Sequence, residues 1–377
     1  MHSISRVSHI LLWPFARIFQ LITDIRNYLY DSKIIKSASF DLPVISVGNL
    51  SVGGTGKSPH IEYLIQLLKY NYQIGTLSRG YGRKSHGFQV ADQSATAATV
   101  GDEPMLFHVK HPEVLVAVAE ERVIGIPRMV SMHPALDVVL LDDAYQHRTI
   151  RPGLSILLTE YDAPFWRDHP LPQGWLREAR KHYHRADIII VTKCPVDLSE
   201  AERQHILSEI RPYPYQHVYF SHIEYGPLYP LFRTEQPQPA VDIRNSDILL
   251  VTGIASHEKL RKHLEHTASN VYLNTFKDHH NYDIYDLERI RDTYHNMTGG
   301  HKILVTTEKD AVRLWPFRSW FLENNIPIFV QPIRVAFAGG DGPRFDADII
   351  RYIEVTRGRN IDQEIKSQNR IDERSDQ

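Results

Sequence analysis

The sequence predicts an α/β fold, a parallel sheet sandwiched by helices, with a second, smaller α/β lobe and an N-terminal amphipathic helix. Three observations carry this. Short apolar runs rich in β-branched residues recur along the chain and alternate with helix-capable stretches, the pattern of strands covered on both faces. One such run, from Pro43, feeds a glycine-rich turn and then a helix-like segment, Ile61 to Leu68. Between Arg211 and Val241 the prolines 212, 214, 227, 230, 237 and 239 break the periodicity and divide the α/β pattern in two.

Composition bounds the partners. At 377 residues the chain has room for two or three domains, and a 42% hydrophobic share suffices for buried cores. A net charge of -2 gives no broad nucleic-acid-binding surface, so no nucleic acid is expected and anions fall to local basic clusters. No obligatory protein partner is evident. The only cysteine, Cys194, excludes an intramolecular disulfide and a cysteine-based zinc site, which suits a reducing compartment.

Taken in order, His9 to Ile22 is apolar and aromatic but too short to span a membrane, and Arg17 and Gln20 interrupt it. It reads either as an amphipathic helix packed on the protein or as one lying on a membrane surface. In the second case Trp13 and Phe15 would sit at headgroup level and Arg6 and Arg17 near lipid phosphates. The strand from Pro43 runs into Gly48 and the loop Gly53-Gly54-Thr55-Gly56-Lys57-Ser58. This is the layout of a P-loop, although Ser51 stands where the strict motif has glycine. Backbone N–H groups and the helix N-terminus would cradle phosphates, Lys57 would reach the outer ones, and Ser58 would supply an oxygen to Mg²⁺. The parallel sheet is therefore P-loop NTPase-like. Further strands are expected at Gln73–Leu77, Val114–Val118, Asp137–Leu141, Leu154–Leu158 and Asp187–Val191, then at Asp247–Val251, Lys302–Val305 and Ile326–Val330.

Several strand ends carry chemistry-bearing residues. The run Val138 to Leu141 ends in Asp142-Asp143, and after a P-loop such a strand presents an aspartate to Mg²⁺ or its waters. Gly101-Asp102-Glu103-Pro104 reads as an acidic helix start, or as the source of the carboxylate that a kinase needs to accept a hydroxyl proton. Ser78 to Lys84, with Arg79 and Tyr81, is a basic loop suited to phosphate or sugar, or a solvated turn. His147, Arg148 and Arg151 keep the corner after the aspartates cationic, and Gly174 to Glu178 brings Arg177. The tandem His279-His280 rarely both point into one metal site, and a histidine bonded to a catalytic carboxylate is the more economical reading. Thr306 to Asp310 ends another strand and reads either as approaching the nucleotide or as a salt-bridged helix start, with no role assigned.

Together these segments resemble the tetraacyldisaccharide 4′-kinases, the lipid A 4′-kinases of Gram-negative bacteria. The matching text runs from Gly48-Asn49-Leu50 and the P-loop through Leu77 to Gly82, Gly101 to Pro104 and Leu141 to His147. It continues through Leu171-Pro172, Leu176 to Glu178 and Phe276 to His279, and ends at Thr307 to Ala311. Ala144, Tyr145 and Ser58 replace a common Gly, Phe and Thr, and Trp175 and Ala179 depart from small residues or proline. The resemblance implies phosphorylation, dependent on ATP and Mg²⁺, of the 4′-hydroxyl of an acylated disaccharide 1-phosphate lipid. It also implies a peripheral enzyme on the cytoplasmic face of the inner membrane. Carried over by position, Asp102 matches the base and His279 its partner, while Tyr81, Arg122, Gln146, His147 and Arg177 match headgroup positions. Arg79 and Glu103 join them as substrate-binding candidates.

The expected organisation is a membrane-interfacial helix region over 1–35, a kinase core over 36–212, a linker or extended element over 213–241, a second lobe over 242–350 and a polar tail over 351–377. Two other classes compete. One is a P-loop switch that uses Thr192 to Asp197 as a degenerate guanine-reading loop, although the Asn-Lys-x-Asp spacing is missing. The other is a non-enzymatic, membrane-associated nucleotide-binding scaffold.

Overall fold

The computed structural model describes residues 6–232 and 243–375, with side chains described for 11–232 and 243–358. The side chain of Arg6 and the residues Pro237, Pro239 and Val241 lie outside that range. The chain opens with helix α1 (Arg6–Asp31) and enters the sheet at β1 (Val44–Asn49), followed by α2 (Lys57–Leu68) and β2 (Ile74–Ser78). Then come β3 (Gln89–Val90), α3 (Ala97–Val100), α4 (Asp102–Lys110), β4 (Leu115–Val118), α5 (Arg122–Met132) and β5 (Val138–Asp142). β6 (Leu154–Glu160), β7 (Ile188–Thr192), α6 (Glu200–Ile210) and β8 (His217–Tyr225) complete the first pass.

The small lobe is β9 (Tyr229–Pro230), β10 (Asp247–Thr252), α7 (Glu258–Glu265), β11 (Asn270–Thr275) and α8 (Ile284–Asn296), then β12 (Lys302–Thr307), α9 (Glu308–Leu314), α10 (Arg318–Glu323) and β13 (Ile328–Gln331). The chain then returns through β14 (Ile333–Phe337) to α11 (Asp341–Ser375).

Two sheets result. The large one has nine strands in the order β14-β8-β7-β6-β1-β5-β2-β4-β3, parallel except for its edge strands β3 and β14. The small one has the order β11-β10-β12-β13-β9. All eight expected strands are present within a residue or two, as β2, β4, β5, β6, β7, β10, β12 and β13. Every residue of β1, β2, β5 and β7 is buried, because helices cover both faces. The strand from Pro43 is central, and its neighbour β5 lies in register with Val47 opposite Asp142.

Two segments differ from expectation. The proline-rich stretch contributes β8 to the large sheet, since Pro212 and Pro214 precede that strand and Pro227 follows it, leaving its own amides free to pair. The segment from 351 is not simply a polar tail: α11 is continuous from Asp341 to Ser375. Phe345, Ile349 and Ile353, four residues apart on one helix face, are buried in the large-lobe core beside Val47 and Leu64. Tyr352 hydroxyl bonds both the N–H and C=O of Val44, at 3.1 and 3.2 Å, which ties α11 to the strand that feeds the P-loop. The C-terminal helix thus completes the large lobe.

Helix α1 docks by its polar side. Asn27, buried, donates to Glu178 at 2.7 Å, Asp24 meets His182 at 2.7 Å and Lys181 at 2.8 Å, and Arg148 bonds Asp31. Leu11, Phe15, Ile18, Leu21, Ile22 and Ile25 stay exposed. No helix among the described residues is long and apolar enough to cross a membrane.

Ile349→Ala should remove about 2–5 kcal/mol from the large lobe, because the side chain is fully buried and a cavity would remain. A thermal denaturation midpoint equal to that of the unsubstituted chain would show that α11 is not part of this core.

Candidate active site

The loop after β1 is shaped for anions. Gly56 has φ of +91°, a conformation favouring glycine, and it turns the chain into α2 so that the N–H groups of its first turn point outward. The loop is braced from β7 and the residue after it. Thr192 hydroxyl donates to Thr55 C=O at 2.9 Å, and Lys193 Nζ donates to Gly54 C=O at 2.6 Å and to Glu160. In the segment weighed as a guanine reader, Lys193 thus braces the loop while Asp197 is exposed. His60, one turn into α2, is buried and drawn down to about 4 by desolvation, so it is neutral. Its Nδ1 lies 2.7 Å from Gly56 C=O and therefore carries the proton, while Nε2 accepts from Ser221. Lys57, 11% exposed at its side chain, reaches Asn49 Oδ1 at 3.5 Å and Asp143 at 3.8 Å.

The paired aspartates take different environments. Asp142 is buried, and Oδ1 has no hydrogen-bond partner. Burial, and next the nearby Glu103 charge, push its carboxyl up to about 7. Asp143, at φ of +47°, turns outward to Lys57 and to Arg177 Nη1 at 3.0 Å. Ser58 hydroxyl donates to Glu103 at 2.6 Å. An orphaned buried carboxylate oxygen that feels the Lys57 charge, with the Ser58 hydroxyl next to that lysine in the chain, fits a hard divalent cation, which prefers oxygen donors. No group of three or more His, Cys, Asp or Glu side chains is arranged to hold a metal by itself among the described residues. Mg²⁺ at a kinase site needs only one or two carboxylates, because phosphate oxygens and water complete its shell.

Asp102 opens α4 after Gly101, whose φ is +94° and where an added Cβ would stand 3.0 Å from Tyr81 C=O. That backbone turn aims Asp102 at the small lobe. There its Oδ2 meets His279 Nδ1 at 2.9 Å. Arg313 of α9 donates to the same oxygen from Nε at 2.9 Å and Nη2 at 2.6 Å. These bonds outweigh desolvation and hold the carboxyl below its usual range. His280 turns away to Asp286 at 2.7 Å, so the tandem histidines share no site.

Glu103, expected on the acceptor side, faces the P-loop instead, since a helical step of one residue swings its side chain away from that of Asp102. There it accepts from Ser58 and from Lys309 of the small lobe. Glu103 keeps its charge, at about 2, because Lys309, Ser58 and Lys57 overcome the cost of burial.

The remaining candidates, apart from Tyr81, lie beside the Asp143 corner. Arg177 also reaches Gln146 Oε1 at 3.2 Å, and Gln146 Nε2 bonds Asn49 C=O and Glu178. Arg122 is 1% exposed, its Nε has no partner, and desolvation pulls it down to about 10. His147, drawn down to about 4 by burial and by the Arg122 charge, is neutral and accepts from Arg122 at Nε2. Arg79 is exposed, and Tyr81 is 71% exposed with its ring 5.1 Å from that of His279.

The sequence reading missed Arg313, Lys193 and Glu178 as members of this constellation, and it left Lys309 without a role. For Lys193 and Lys309 the available signal was a charged residue close behind an apolar strand, β7 or β12, whereas Arg313 and Glu178 stand at no strand end. Asp143, Lys193 and His279 all hold positive φ, which costs a non-glycine residue about 1–3 kcal/mol and concentrates at functional sites.

Known proteins share this architecture over nearly its whole length. The family profile described as tetraacyldisaccharide-1-P 4′-kinase matches residues 8–354. The tetraacyldisaccharide 4′-kinase of Bacteroides thetaiotaomicron is 42% identical over 363 residues, 94% of this chain and 96% of that protein. Its counterpart in Flavobacterium johnsoniae is 44% identical over 344 residues, 91% and 97% of the two chains. The crystal structure of LpxK from Aquifex aeolicus, in complex with ATP, superposes with a TM-score of 0.70 at 27% identity, covering 92% of this chain and 99% of that one. With sequence and fold matched from α1 to α11, the chain belongs to the tetraacyldisaccharide-1-P 4′-kinase family.

Proposed function

We propose that this chain transfers the γ-phosphoryl group of ATP to the 4′-hydroxyl of a tetraacylated glucosamine disaccharide 1-phosphate, with Asp102 as general base. The observation that carries the site assignment is the 2.9 Å contact between Asp102 and His279, made across the lobes beside the P-loop. The relatives bear the name of this reaction, and the Aquifex relative holds ATP. The switch and scaffold readings have no observation in their favour.

Lys57 and the amides of Gly53, Gly54, Thr55 and Gly56 neutralise the β- and γ-phosphates. Ser58 with Asp142 or Asp143 would hold Mg²⁺, which supplies charge neutralisation across those phosphates when bound. Asp102 takes the 4′-OH proton as the new O–P bond forms and the bond to the β–γ bridging oxygen breaks, releasing ADP. His279 holds Asp102 in place and joins the site from the second lobe, so a complete site requires both lobes together. Arg79, Tyr81, Arg122, Gln146, His147 and Arg177 meet the sugar and 1-phosphate of the acceptor. The exposed apolar side of α1 lies on the cytoplasmic face of the inner membrane, where an acylated substrate and ATP are both within reach.

Three outcomes are expected. In a phosphotransfer assay with labelled ATP and lipid A disaccharide 1-phosphate, Lys57→Ala should abolish product while circular dichroism stays unchanged. Turnover at the level of the unsubstituted chain would sink the P-loop assignment. Deleting residues up to Thr23 should release the protein from anionic vesicles in co-sedimentation, and unchanged pelleting would place lipid contact elsewhere. Asp102→Ala and His279→Ala should each lower kcat by about 10²–10⁴-fold with little effect on the KM for ATP. Their combination should cost little more than the worse single change, since residues acting as a unit are not additive. Fully additive losses would contradict the dyad.

A further inference from the structure

We infer that Arg313 is a positioning residue for phosphoryl transfer: the small lobe sets its guanidinium on one oxygen of Asp102 and leaves the other oxygen to face the acceptor hydroxyl. This rests on Asp102 being the base. The geometry is one-sided. Oδ2 receives Arg313 Nε at 2.9 Å, Arg313 Nη2 at 2.6 Å and His279 Nδ1 at 2.9 Å. Among the described residues Oδ1 receives no hydrogen bond. A carboxylate fixed by three donors on one oxygen cannot rotate without breaking them, so the lone pairs of the other oxygen keep one direction.

The guanidinium is itself fixed from behind. Its Nη1 donates to Asp310 Oδ1 at 3.1 Å and to Gly253 C=O at 3.3 Å. Asp310 is fully buried and also accepts from Thr252, Thr307, Tyr282 and the Gly253 N–H. All of these anchors belong to the small lobe, whereas Asp102 belongs to the large one. The strand end Thr306 to Asp310 thereby acquires a role: Asp310 orients Arg313, and Arg313 orients the base. Arg313 Nη2 also lies 3.2 Å from His279 Nδ1. Because Oδ2 only accepts, the His279 Nδ1 that faces it carries a proton, and the approach of Arg313 Nη2 is that of two donors sharing one oxygen.

A purely stabilising role is the weaker account, because a buried ion pair seldom stabilises more than apolar packing of the same volume. Placement on the base is what apolar packing cannot supply. Arg313 makes no described bond to the P-loop, so its loss should leave nucleotide binding alone.

The test uses the full-length chain, with Asp102→Asn, Arg313→Ala, Arg313→Lys and the Asp102→Asn/Arg313→Ala double variant. The readouts are kcat and KM with lipid A disaccharide 1-phosphate, and the Kd of a fluorescent ATP analogue. Arg313→Ala should lower kcat by about 100-fold, with the analogue bound as tightly as by the unsubstituted chain. Arg313→Lys, which keeps the charge but on a single donor nitrogen, should recover part of the loss, as should free guanidinium added to Arg313→Ala. The double variant should be no slower than Asp102→Asn. Unchanged kcat in Arg313→Ala, multiplied losses in the double variant, or a parallel loss of analogue binding would each overturn the inference. If Asp102→Asn itself turned over normally, the base assignment would fall and this inference with it. An inactive Asp102→Asn beside a fully active Arg313→Ala would remove this inference alone.

Discussion

The site depends on a seam of opposite charges between two helices of different lobes. Along α4 stand Asp102, Glu103 and Lys110, and along α9 stand Arg313, Lys309 and Glu308 to meet them. Each contact pairs unlike charges, and α2 joins through Glu62, which also meets Lys110. Taking such groups out of water costs several kcal/mol per ion, so the seam adds little to stability when complete. Breaking one member costs about 3–5 kcal/mol because its partner is left buried and unpaired. The seam therefore works as a register: α4 and α9 meet in one alignment, and that alignment brings His279 to Asp102.

The sheet order makes this register useful. Strand β1 lies between β5 and β6, so the P-loop and the Asp142-Asp143 pair leave the same edge of the parallel sheet side by side. The basic loop after β2 and the start of α4 open at that edge too, which is where ligands of open parallel sheets bind. The small lobe is inserted between β8 and β14, adjacent antiparallel strands at the far edge of the sheet. Its tie through the backbone is thus distant from β1, and side chains of the seam carry its contact with the nucleotide edge. Tyr352 of α11 anchors β1 from its other end.

Much of this was legible in the sequence where the signal is local. Apolar β-branched runs marked the eight expected strands because both faces of each are covered, and the glycines of the P-loop needed no tertiary context. The strands that escaped notice lie at edges or among prolines. β11, for example, pairs on one side only and alternates Asn270, Tyr272 and Asn274 with apolar neighbours, so no continuous apolar run announces it. The packing of α11 was readable from Phe345, Ile349 and Ile353, but the polar residues around them in a charged segment masked the stripe.

The site divides along the same line. Lys57, Ser58, Asp142 and Asp102 stand at strand ends or helix starts, so their position follows from a local motif. Arg313 lies 211 residues beyond Asp102 on a short helix, and nothing in its neighbourhood distinguishes it from a solvated arginine. Only the fold shows that Asp310, one turn earlier, is buried and points its side chain at the guanidinium. Glu103 shows the converse: proximity to Asp102 in the chain suggested a shared substrate, yet one residue along a helix is enough to turn a side chain from the acceptor side to the P-loop. A motif fixes which residue types are present, while helical phase and lobe register decide which of them touch.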